Sequence, residues 1–253
     1  MPIYIACHKK TPLPQDTCYV PIHVGRKNSL TKIEGMAGDD TGENISTKNS
    51  NYCELTALYW IWKNSDLSTF IGINHYRRYF SQVVCGEKFG KGRILSAKRV
   101  NALLIENDIV LAKKENLRMT VAQHYERFHF ISDFQMTKDV ISELCAEYLP
   151  SFEAVESSYK ISLYNMFIMK GYIYNDYCFW LFSILDALEK KINFKSYDAY
   201  QARVFGFISE RLLNVWVMHN NNKFKIKEIE VINTDSYCGI NDYIKSRIKS
   251  LRN

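Results

Sequence analysis

The sequence predicts an α/β protein with a mostly parallel central sheet flanked by helices. Short apolar, β-branched runs such as Ile3-Tyr4-Ile5-Ala6-Cys7 and Thr69-Phe70-Ile71-Gly72-Ile73-Asn74 alternate with longer segments whose apolar residues recur at helical spacing. A chain of 253 residues with 47% apolar content can bury one large core, so stability requires no disulfide scaffold. With only 11 glycines and 5 prolines, it is neither collagen-like nor of low complexity.

Residues 2–7 read as a buried strand. Residues 8–50 read as mostly loop, because Pro12, Pro14, Pro21, Gly25, Gly35, Gly38 and Gly42 interrupt every regular pattern. Loops of that length are usually functional. Asn51 is a suitable cap for a helix from Tyr52 to Lys63, with Leu55, Leu58, Tyr59 and Trp62 as its apolar stripe. A strand over 69–74 then delivers His75-Tyr76-Arg77-Arg78-Tyr79-Phe80 at its carboxyl end. Next come a helix over 96–106, a strand over 108–112, and a helical pattern over 119–147 interrupted near His129 to Asp133. A strand over 164–169, an apolar helix over 173–192, a helix over 206–218 and an alternating edge strand over 226–232 complete the pattern. The expected organisation is one domain over 1–239 and a basic amphipathic tail over 240–253, whose stripe suits either an anionic membrane surface or the protein's own core.

Lys plus Arg number 33 against 27 Asp plus Glu, and the net charge of +6 favours phosphorylated small molecules or acidic lipids over nucleic acid. Seven scattered cysteines without a Cys-x-x-Cys pair argue against a zinc site and a disulfide framework, which suits a reducing cytoplasm. No run reaches the roughly 18–20 apolar residues of a membrane-spanning helix. The basic residues of the amino terminus follow its apolar run, the reverse of a signal peptide.

In open α/β sheets, ligands bind beyond the carboxyl ends of the strands. The loops after residues 7, 74 and 169 should therefore converge, gathering His8, His75, Arg77, Arg78 and Lys170 into one electropositive neighbourhood. Adjacent arginines among aromatics offer bidentate donors to phosphate, with packing across the rings or pairing with a carboxylate as the competing role for either one. Asp39 and Asp40, on a glycine-punctuated loop, suit a divalent cation, sugar hydroxyls or plain turn chemistry. Glu210 lies opposite the apolar positions of its helix, where it serves either as a general base or in a surface ion pair, and Arg211 is that pair or a further phosphate ligand. His129 and Asp133 fall one helical turn apart if the helix continues, which suggests a hydrogen-bonded pair near an acceptor groove. Asn165 presents an amide either to a sugar or to the core.

Several blocks, in order, resemble a bacterial family associated with capsular and lipopolysaccharide synthesis. They are Ile3-Tyr4-Ile5-Ala6-Cys7-His8-Lys9, Gly38-Asp39-Asp40-Thr41-Gly42-Glu43-Asn44-Ile45-Ser46, Tyr52-Cys53-Glu54-Leu55-Thr56-Ala57-Leu58-Tyr59-Trp60-Ile61-Trp62-Lys63-Asn64 and Ile71-Gly72-Ile73-Asn74-His75-Tyr76-Arg77-Arg78-Tyr79-Phe80. Asn165-Met166-Phe167-Ile168-Met169 and Gly206-Phe207-Ile208-Ser209-Glu210-Arg211-Leu212 extend the match. The resemblance implies a glycosyltransferase of GT-A-like architecture, galactofuranosyl transfer in some members, a UDP-sugar donor and a lipid-linked saccharide acceptor.

On that basis His8 and Lys9 are expected to meet the nucleotide, and His75, Arg77 and Arg78 the diphosphate. Asp39, Asp40 and Asn165 would face the donor sugar or its loop, and His129, Asp133 and Arg211 the acceptor. Glu210, with His75, forms the expected catalytic pair in an inverting displacement. GT-A proteins usually carry a metal-binding Asp-x-Asp at a later strand end, whereas this strand end reads Asn74-His75-Tyr76-Arg77-Arg78. Transfer without a metal is expected, Asp39 and Asp40 being the reserve ligands for Mg²⁺ or Mn²⁺. The implied location is the cytoplasm, peripheral to the inner face of the plasma membrane through the tail. The rival reading is a non-catalytic saccharide- or nucleotide-binding subunit that recruits a partner transferase to the membrane.

Overall fold

The strand expected at the amino terminus is β1 (Ile3–Cys7), and it lies inside the main sheet. The computed structural model describes residues 2–82, 84 and 86–234; the tail expected over 240–253 and the end of the domain expected over 1–239 lie outside the described residues. The stretch expected to be mostly loop contains two further strands, β2 (Tyr19–His23) and β3 (Ala37–Gly38). Pro21 concealed β2. Its neighbours Cys18 and Val24 bond to β1, so Pro21 faces the β3 side, where pairing reaches only Ile22 and His23; its missing N–H therefore breaks no ladder.

The helix expected from Tyr52 is two helices, α1 (Asn49–Tyr52) and α2 (Leu55–Asn64), broken at Cys53, whose φ is 53°. Asn51 does not cap it but donates from Nδ2 to the Ala202 carbonyl. β4 (Phe70–His75) turns tightly into β5 (Arg78–Phe80), followed by the hairpin of β6 (Glu87–Phe89) and β7 (Gly92–Ile94). Ser96 caps α3 (Ala97–Glu106) by accepting from the Arg99 N–H. β8 (Ile109–Ala112) and β9 (Glu115–Asn116) precede α4 (Val121–Phe128) and α5 (Ile131–Leu144), which are interrupted where expected, at His129 and Phe130. α6 (Leu149–Ser157), β10 (Lys160–Ile161), β11 (Phe167–Lys170), α7 (Gly171–Lys191), α8 (Val204–His219), β12 (Ile226–Ile229) and β13 (Val231–Asn233) complete the described chain.

The main sheet runs β12-β8-β11-β4-β1-β2-β3, and every pairing on this path is parallel except the two made by β11. One face contributes Ala6, Ile71, Ile73, Ile109, Leu111, Phe167 and Met169 to a core shared with α2, α5, α7 and α8. The other face, with Ile3, Ile5, Val110, Met166 and Ile168, is covered by α3 and by β5 to β7. The reversal of β11 corrects one expectation. Lys170 pairs with Phe70 at the amino end of β4 and forms an ion pair with Asp108 at 2.5 Å, at the far end of the sheet from His75. The residues preceding β11, Tyr164 and Asn165, reach the His75 end instead.

Candidate active site

A cleft of about 650 Å³ opens where β1, β2 and β4 finish. Ala6 and His8 line it from the end of β1, Val24 from β2, and Asn49, Ser50, Cys53 and Glu54 from the broken helix. The β4–β5 turn contributes His75 to Arg78, Tyr164 closes one side, and Arg203, Gly206, Phe207 and Glu210 come from the first turns of α8 and the residue before it. The tight turn explains the cationic end. His75 and Arg78 are directly paired across it, and paired residues project to the same face of a sheet.

Tyr164 organises the centre of the cleft. Its carbonyl meets His75 Nε2 at 2.5 Å, its N–H donates to Glu210 Oε1 at 3.1 Å, and its hydroxyl donates to Glu115 Oε1 at 2.9 Å. The Arg78 guanidinium lies 4.3 Å from its ring centroid. Tyr164, Asn165 and Cys53 have φ values of 77°, 50° and 53°, so this rim holds left-handed backbone at residues other than glycine. Such conformations persist only where the surroundings enforce them. Gly206 lets the broken helix approach, since a Cβ there would stand 3.1 Å from Cys53 Sγ.

The electrostatics divide the cleft. His8 packs edge-on against Tyr76, with ring centroids 4.9 Å apart, and Arg77 lies over the same ring at 5.4 Å. Burial, reinforced by the Lys9 and Arg77 charges, pushes the His8 pKa down. Burial pushes the Glu210 carboxyl up, and the nearby Glu54 charge adds to this while Arg211 opposes it. Arg211 Nη1 reaches Glu210 Oε2 at 3.1 Å. The Cys53 thiol, pushed up to about 11 mainly by burial, accepts from Arg203 Nε at 3.2 Å and stays protonated at neutral pH.

Five of the expected residues therefore share the cleft: His8, His75, Arg77, Arg78 and Glu210. Lys9 is exposed beside it, its ammonium 5.1 Å from the Tyr76 ring centroid. Asp39 does not line the cleft. It is fully buried, and its carboxylate accepts from the Gly25 and Arg26 N–H groups and from Ser46 Oγ, closing the loop on itself. Asp40 sits 3.7 Å from Arg26, also away from the cleft wall. Asn165 lies behind the wall with no exposed surface and donates to Glu54 Oε1 at 2.6 Å.

The expected acceptor residues are likewise displaced. Asp133 is buried and accepts from the Tyr197 hydroxyl at 2.8 Å rather than from His129, because the helix breaks between them. His129 stacks on Phe207 at 3.9 Å and meets Gln201 Oε1 through Nδ1. Arg211 is buried against the Phe207 carbonyl, Glu210, His124 and the Tyr125 ring. Glu54, Arg203 and Tyr164 were not singled out from sequence. Glu54 lay inside a block read as uninterrupted helix, and only the break at Cys53 turns it towards the cleft.

The expected reserve metal ligands lie away from the cleft, Asp39 closed into its own loop and Asp40 beside Arg26, and the carboxylates that line the cleft are Glu54 and Glu210. Among the described residues no group of three His, Cys, Asp or Glu side chains is arranged to hold a metal ion.

Strand order, the reversed strand β11 between parallel neighbours and a cationic cleft at the strand ends together define a GT-A-like α/β protein. The family described as a domain of unknown function, DUF4422, matches residues 2–222, and the chain belongs to that family. Among solved structures it is similar to the apo structure of the bifunctional glycosyltransferase WbbM, at 34% identity with a TM-score of 0.84. That similarity covers 92% of this chain and 45% of the WbbM chain, so this chain spans less than half of its relative's length. No curated protein matches it.

Proposed function

We propose that the protein is a glycosyltransferase that moves a sugar from a UDP-sugar donor to a saccharide hydroxyl with inversion. The observation that carries this reading is the shared cleft in which His8, His75, Arg77 and Arg78 stand near the half-buried carboxylate Glu210. The similarity to WbbM over nearly the whole chain supports it.

In the proposed reaction the acceptor oxygen forms a bond to the anomeric carbon as the bond from that carbon to the diphosphate oxygen breaks. The electron pair leaves with the diphosphate, and Glu210 takes the acceptor's proton. Arg77 and Arg78 are preorganised donors where negative charge develops, beside the His75 ring, whose Nε2 is held by the Tyr164 carbonyl. A base works best when its pKa approaches the operating pH, and burial moves Glu210 in that direction. Its two oxygens are aimed by Tyr164 and Arg211.

The finer terms follow the family resemblance: galactofuranose as the sugar, a lipid-linked acceptor of capsule or O-antigen synthesis, action without a metal, and a peripheral place at the cytoplasmic face of the membrane. Among the described residues no helix is long and apolar enough to cross a membrane. The test is incubation with a panel of UDP-sugars and saccharide acceptors, with and without chelator, reading released UDP and glycosylated product. Turnover insensitive to chelator supports the full reading. Nucleotide binding without release of UDP supports the non-catalytic recruiting subunit instead.

A further inference from the structure

We infer that Glu54 is the residue that reads the hydroxyl pattern of the transferred sugar, an inference that rests on the transferase reading. Glu54 lines the cleft at the start of α2. Its Oε1 accepts from Asn165 Nδ2 at 2.6 Å, and Asn165 is itself fixed by Ser209 Oγ at 2.8 Å, which in turn donates to the Gly206 carbonyl. Asn165 and Ser209 are completely buried, so the carboxylate is held from behind by a network that solvent cannot loosen. The other oxygen, Oε2, takes no hydrogen bond from any described residue, and Glu54 is one of the residues that line the cleft.

Charge assigns this oxygen to one end of the ligand. A carboxylate repels a diphosphate, which belongs with His8, Arg77 and Arg78, and attracts hydroxyl donors. Glu210 differs from Glu54 in having both oxygens engaged, by the Tyr164 N–H and by Arg211. Glu54 is thus preset, half satisfied and acceptor-only, as recognition of a sugar hydroxyl in a defined position requires. A site built to bond a hydroxyl discriminates strongly against a ligand whose hydroxyl points elsewhere, because the buried partner is then left unpaired. Asn165 and Ser209 are positioning residues that act through Glu54.

Glu54→Gln separates this role from a structural one. Glutamine keeps the oxygen that accepts from Asn165 and turns the free acceptor into an N–H donor of the same shape. The experiment measures kcat/KM for UDP release from UDP-galactofuranose, UDP-galactose, UDP-glucose and UDP-N-acetylglucosamine, together with the inhibition constant of UDP and the melting temperature. The expected result is a loss of about 100-fold or more for the wild type's preferred donor, a much smaller loss for the others, and a UDP inhibition constant within about twofold of wild type. An equal loss for all four donors would make Glu54 part of the chemical step, and a weakened UDP constant or a lowered melting temperature would make it structural; either overturns the assignment, as does an unchanged preference. If the wild type releases no UDP from any donor, whether or not it binds UDP, the transferase reading itself fails and takes this inference with it.

Discussion

The backbone N–H of Tyr164 donates to Glu210 Oε1 at 3.1 Å, tying the turn before β11 to the second turn of α8. The same residue's carbonyl meets His75 Nε2, so the backbone of one residue couples the carboxylate to the end of β4. The left-handed φ of Tyr164, 77°, is the conformation that brings these groups together.

Glu210→Gln keeps an acceptor for that N–H and removes the base. Transfer should fall by about 10²- to 10⁴-fold, with donor affinity changed less than about threefold. In the wild type, burial raises the Glu210 pKa above its ordinary 4.5, so activity should fade on the acid side at a higher pH than an exposed carboxylate would give. Steady-state kinetics across pH check both. Full activity in Glu210→Gln would place the base elsewhere.

Asp39→Ala should act on stability and not on metal response. It strands the buried Gly25 N–H, the half-buried Arg26 N–H and a hydroxyl that now share one carboxylate, a loss of about 2–4 kcal/mol. Urea unfolding measures the loss. Restored activity on adding Mn²⁺ to the variant would return Asp39 to the ligand role expected from sequence.

The fold was legible wherever a segment's own pattern decided its structure. The apolar runs of β1, β4 and β8 and the stripes of α7 and α8 needed nothing from the rest of the chain. What escaped was set by tertiary partners. β2 carries a proline that is tolerated only because β3 stops short of it. The direction of β11 is not written in its residues, so Lys170 was expected at the wrong end of the sheet. At the cleft, His75, Arg77 and Arg78 were legible because a strand end and a tight turn carry them. Glu54 was hidden because its exposure to the cleft depends on a left-handed cysteine, a conformation that sequence gives little reason to expect.

Arg211→Leu should destabilise the protein by about 3–5 kcal/mol, because it leaves Glu210 without the cation that partly offsets its burial and removes the bond to the Phe207 carbonyl. Chemical denaturation and circular dichroism test this. A fully stable variant with weakened acceptor binding would instead support the acceptor role expected from sequence.

Acid should unfold the protein through its histidines. Burial holds His129 down at about 4, while an unfolded-state histidine titrates near 6.5, so between those values the unfolded chain binds the extra proton. Stability therefore falls as pH drops from about 6.5 to 4, and the same sign holds for His8 and His124, whose pKa values burial also lowers. His129→Phe keeps a ring on Phe207 and should flatten part of that slope in melting temperature against pH. An unchanged slope would remove His129 from this account.

The most direct measurement of the central claim is calorimetric titration of UDP into the wild type and into Arg77→Ala/Arg78→Ala, with melting curves to verify folding. Charge-assisted bonds of this kind contribute about 1.5–3 kcal/mol each, so the double variant should bind UDP at least about 100-fold more weakly while remaining folded. Undiminished UDP affinity in a folded double variant would show that the cationic turn after β4 does not hold the diphosphate.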